Sequence, residues 1–113
     1  MLKLIDTFPT IAHELVEALR GSGRPALAEQ IELAVIGRVT FDNAANAGYI
    51  YVEPTRNLNV VEANVIDTRH GETIPVETQF WTNVDTDNFN RIFGIEILDP
   101  GSLKTELRRL ASG

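Results

Sequence analysis

The spacing of apolar residues changes near Leu33, and that change constrains the fold more than any other feature of the chain. Before it, Phe8, Ile11, Leu15, Ala18 and Leu19 recur every three or four residues, which puts them on one stripe of a helix over Thr7–Arg20. Thr7 is the expected N-cap, Pro9 suits the first turn, and Gly21-Ser22-Gly23 offers the left-handed backbone that ends a helix. A second helix of two or three turns is expected from Pro25, with Leu27 and Ile31 on its buried side.

After Leu33 the period is two. Val35, Gly37, Val39 and Phe41 alternate with Ile36, Arg38 and Thr40, so a strand is expected there. The loop Asp42–Gly48 then leads to a second strand, Tyr49–Val52, and Pro54–Asn57 makes a turn into a third, Val60–Thr68. Arg69–Glu72 reads as a tight turn, Ile74–Val84 as a fourth strand, Asp85–Asn90 as a turn and Arg91–Leu98 as a fifth strand. Asp99-Pro100-Gly101 stops it, and Ser102 is the expected cap of a final helix carrying Leu103, Leu107 and Leu110.

Segregated helices and strands indicate an α+β fold, and short links between strands indicate an antiparallel meander. The expectation is one domain over 1–113: a helical extension at 1–33, a β-meander of about five strands at 34–98, and a short helix at 102–110, the helices packed on one face. A chain of 113 residues suffices for one core and is too short for two.

The net charge of -6 would repel a phosphate backbone, and the one dense basic cluster, Lys104, Arg108 and Arg109, falls where the last helix has its negative dipole end. Direct nucleic-acid binding is therefore not expected. No apolar run approaches the roughly 20 residues that cross a bilayer, and Met1–Asp6 does not read as a secretory signal. With no cysteine there is no disulfide or thiolate site, which suits a cytoplasmic chain outside the membrane.

Chemistry-bearing patterns are sparse. His13 and His70 are far apart, and Ser22, Ser102 and Ser112 are accounted for by a loop, a cap and the tail. Asp85, Asp87 and Glu96 match positions one, three and twelve of a calcium loop, but Phe89 and Asn90 break positions five and six. Single glycines form no phosphate loop. No catalytic, cofactor-binding or metal-ligating residue is assigned, and no cofactor is expected. The competing reading is a small ligand-binding protein or an enzyme built on Asp42, Glu77 and Glu96, the last two expected on neighbouring strands.

Two segments resemble the two ends of a small family of bacterial domains of unknown function. Phe41–Val52 is similar to an opening pattern Y-D-x-x-A-D-A-L-Y-I, with Asn46 in place of aspartate and Gly48 in place of leucine; Val84–Leu98 is similar to a closing pattern D-x-D-x-x-G-x-x-x-G-I-E-I-L. The resemblance covers about Arg38–Leu98 and implies a compact antiparallel sheet with a helix, no established activity, and a partner-binding or antitoxin-like role.

On the face turned away from Phe80, Ile95 and Ile97, alternation places Tyr49, Tyr51, Ile66 and Trp81 among glutamates. Trp81 is expected opposite Gly94, its ring covering the bare backbone. Aromatic side chains are enriched where proteins meet, so the four residues form the expected interaction surface, buried in a homodimer or against a protein partner.

Overall fold

A computed structural model describes residues 2–53 and 70–112. Expected features at Pro54–Asn57 and Val60–Thr68, Ile66 among them, lie outside the described residues. The elements are β1 (Leu2–Lys3), α1 (Leu4–Thr7), α2 (Pro9–Gly21), α3 (Pro25–Leu33), β2 (Val35–Asp42), β3 (Ala47–Val52), β4 (His70–Val76), β5 (Thr82–Asp87), β6 (Ile92–Ile97), a 3-10 turn at Gly101–Leu103, and α4 (Lys104–Ser112).

The α+β class holds, with differences at the helix ends. Thr7 closes the short α1 instead of capping α2, and the N-cap position of α2 is held by Phe8 without a side-chain bond. Burial outweighs capping here: Leu4 and Phe8 are both sealed in the core, and the Phe8 N–H reaches the Leu4 carbonyl at 2.8 Å. Ser102 likewise sits inside the 3-10 turn, and α4 starts at Lys104.

The described strands form one antiparallel sheet of six in the order β1-β2-β3-β6-β5-β4. Among the described strands this is not a simple meander, because β3 pairs with β6 and not with β4. The expected fourth strand is also two structures. Its first part belongs to β4, which begins at His70 inside the expected turn, and its second part is the start of β5, with a turn at 77–81 between them. Asp85 to Asp87, expected in a turn, lie in β5.

One face of the sheet is packed with Val39, Ile50, Val52, Val84, Ile95 and Ile97, against Leu4, Phe8, Ile11, Leu15 and Leu27 from the helices. Irregular register makes this possible. Gly37 is an extra residue opposite β3, so Ile36 and Val39 both turn inward; Phe93 is extra opposite β5, so Ile92 and Ile95 do the same. The alternation that places Phe93 with Ile95 and Ile97 is broken at that point.

Two long side chains tie the sheet turns to the helices. Glu14 of α2 accepts from the Gln79 backbone N–H at 2.9 Å and from its side-chain amide at 2.6 Å. Gln30 of α3 donates to the Asn90 carbonyl at 2.9 Å and accepts from the Ile92 N–H at 2.8 Å. Both turns of the β4-β5-β6 unit are thereby fixed against the helical layer.

Candidate functional site

Among the described residues no helix covers the opposite face of the sheet, and its side chains follow from the register. Arg38, Tyr51, Gly94, Asp85 and Thr73 lie across it in one row, and Thr40, Tyr49, Glu96, Asn83 and Pro75 in the next. Sequence alternation puts Tyr49 and Tyr51 together, and the rings do pack, with centroids 4.5 Å apart and planes at 50°.

Tyr49 leans over Gly94, where any Cβ would overlap its phenol. Its hydroxyl donates to Asp85 Oδ2 at 2.6 Å, and Thr73 donates to Oδ1 at 2.7 Å. Burial, followed by the hydrogen bond to the Asp85 carboxylate, pushes the Tyr49 phenol well above its ordinary range. The phenol is thus a locked donor and not a base. The Arg38 guanidinium stacks 4.3 Å from the Tyr51 centroid, and Asn83 donates to Glu96 at 2.9 Å. This half-buried polar mosaic corrects one expectation: Tyr49, and not Trp81, covers Gly94.

Trp81 lies instead at the end of the sheet, in the turn before β5, with φ of 51° and 68% of its surface in water. The other described positive-φ residues that are not glycine are Asn46 and Asn90, a type that tolerates this conformation. For a bulky side chain it costs on the order of 1–2 kcal/mol. Hydrogen bonds on both sides hold the turn. The Phe80 N–H reaches Thr78 Oγ1 at 3.1 Å, the Leu98 N–H reaches the Trp81 carbonyl at 2.9 Å, and the Asp99 N–H reaches the Phe80 carbonyl at 2.9 Å. Phe80 is inserted in the core while its neighbour Trp81 is displayed. Across the bond from Trp81, Leu98 is 48% exposed. Leu98 is not among the sequence-predicted surface residues, although the alternation through Gly94 and Glu96 points to it.

The three carboxylates of the competing reading have separate surroundings. Asp42 Oδ1 accepts from the N–H groups of Ala44 and Ala45 at 2.9 and 3.2 Å, closing its own turn. Glu96 is on β6 and Glu77 lies beyond β4, with β5 between them, so they are not on neighbouring strands. Glu77 borders an open groove of about 390 Å³ between α2 and β4 and is the one ionisable residue of its described lining.

Asp87 is buried and fully engaged: Oδ1 takes the N–H groups of Phe89 and Arg91, and Oδ2 takes Arg91 Nε at 2.8 Å. Arg91 Nη2 is buried without an acceptor among the described residues. No group of three or more His, Asp or Glu among the described residues is arranged to hold a metal ion, and none of their helices is long and apolar enough to cross a membrane. His13 is exposed 3.3 Å from Glu17, and His70 opens β4.

Comparison with protein-family models, curated proteins and solved structures finds no match for this chain.

Proposed function

We propose that the chain is a non-enzymatic protein-interaction module that binds through the end of its sheet that displays Trp81 and Leu98, either to a second copy of itself or to another protein. One observation carries the reading: the bulkiest side chain of the sequence is held in a costly backbone conformation and left 68% exposed beside the exposed Leu98. Among the described residues that arrangement brings the ring little packing in return, whereas a buried tryptophan is among the strongest anchors of an interface. Backbone strain of this kind concentrates at functional positions.

The family resemblance suits the same reading, including its antitoxin-like form. The segments that carry it become β2-β3 and β5-β6, and they meet where β3 pairs with β6. A ligand-binding or catalytic role for Asp42, Glu77 and Glu96 gains no support from their separation.

A photo-crosslinking residue placed at Trp81, with a control at the exposed Glu29 of α3, tests the proposal in cells of the native host. Discrete adducts from position 81 and not from position 29 are expected. Equal or absent adducts at both, with a monomeric mass in solution, would overturn it.

A further inference from the structure

The strand ends and turns that surround Trp81 are acidic. They are built from Asp42–Ile50, Ile74–Val84 and Gly94–Leu103, and these segments hold Asp42, Glu77, Glu96 and Asp99 but no lysine, arginine or histidine. Glu77 and Asp99 are exposed. Arg38 stacks on Tyr51, Arg91 pairs with Asp87 and Arg24 reaches Glu72, while α4, which follows Leu103 and lays Leu107 on Gly48, carries Lys104, Arg108 and Arg109, the last paired with Glu106.

We infer that the Trp81–Leu98 end is a docking site for a cationic segment of a partner protein, with an arginine or lysine over the Trp81 ring, apolar side chains on Leu98, and further basic groups facing Glu77, Glu96 and Asp99. The inference rests on the interaction reading above and deepens it. Three observations converge. An indole face attracts a cation most strongly of the aromatic rings, and this one is open to water. The turn holding it is fixed by Thr78, by Glu14 through Gln79, and by the backbone bonds to Leu98 and Asp99, so little order is lost on binding. A second copy docked end to end would set these carboxylates against each other, in a chain already at -6.

Trp81 is the sole tryptophan, so emission excited at wavelengths that only tryptophan absorbs reports on this site alone. The probes are an alternating Arg-Leu octapeptide, its isosteric citrulline-Leu version and a Glu-Leu version. The arginine peptide is expected to change the Trp81 emission saturably, to bind about tenfold or more tighter than the citrulline peptide, which is one favourable charge contact or more, and to weaken with added salt. Glu77→Gln with Asp99→Asn should lower its affinity by a similar factor with an unchanged melting temperature, since both side chains are exposed.

Equal binding of the arginine and citrulline peptides would overturn the cationic assignment while leaving an apolar interaction site standing. An emission change driven by protein concentration alone would assign the patch to a second copy, again sinking this inference and not the broader one. Silence with every probe and at every concentration would overturn it too, and the crosslinking at position 81 would then decide separately whether the interaction reading survives.

Discussion

The two faces of the sheet each contain a glycine beneath a large side chain, and they use it differently. On the helical side Gly48 lies under Leu107 of α4, where an added Cβ would be 2.9 Å from a leucine methyl; on the open side Gly94 lies under Tyr49. The first contact is pure packing. The second is a phenol aimed by hydrogen bonds, and it consumes the aromatic surface that sequence alternation offers to a partner. The inner face is therefore specified by volume and the outer face by polar geometry. The large apolar side chains left exposed on that side are those at its end, Trp81 and Leu98.

Substitutions on the buried side should show the largest effects. Asp87→Ala strips the buried Arg91 guanidinium of its carboxylate and frees two backbone N–H groups, so a loss of about 3–5 kcal/mol is expected in denaturant unfolding. Ile95→Ala, at the centre of the inner face, should cost about 2–5 kcal/mol. A loss below about 1 kcal/mol in the second variant would show that the faces are assigned the wrong way round.

Tyr49→Phe should cost less, about 1 kcal/mol, because the ring still covers Gly94 while a bond to a half-exposed carboxylate is lost. Its pH signature is sharper than its size. The phenol pKa is raised in the folded chain, so the unfolded chain gives up the proton first, near its ordinary value of about 10. The stabilisation is fully present below that pH and is lost as pH rises from it towards the folded value. Stability of the parent chain should fall above about pH 10, and the contribution of Tyr49 to that slope should vanish when its hydroxyl is removed. Unfolding free energies measured at several alkaline pH values check this.

Local patterns made the three longer helices, the β2-β3 hairpin and the core positions Phe80, Ile95 and Ile97 legible. The turn at 77–81 was not, because Thr78-Gln79-Phe80-Trp81 contains no glycine, proline or asparagine and continues the alternation of a strand. What bends it is a hydroxyl acting locally and the Glu14 carboxylate acting across 65 residues of sequence. Long-range bonds of that kind leave no mark in a periodicity. The bulges at Gly37 and Phe93, and the pairing of β3 with β6, are equally tertiary. The turn expected over Asp85–Asn90 begins only after Asp87, and that shift of register sets Asp85 and not Trp81 opposite Gly94.

The smallest expected effect is also the most discriminating, because it turns on sign. At an ordinary strand or helix position glycine is less favourable than alanine by roughly 0.5–1 kcal/mol. At position 81 the backbone has φ of 51°, so alanine keeps the left-handed strain and glycine removes it. Trp81→Gly should therefore be more stable than Trp81→Ala by about 1 kcal/mol or somewhat less. Neither should fall far below the parent chain, since a ring that is 68% exposed has little packing to lose. Phe80→Ala, one residue away but buried, should cost about 3–5 kcal/mol. Paired denaturant curves of the three variants measure this, with the glycine-minus-alanine difference as the deciding quantity. Alanine proving the better residue would mean that position 81 is extended in solution, that Trp81 is carried on an ordinary strand, and that the case for a strained, displayed anchor at this end of the sheet fails.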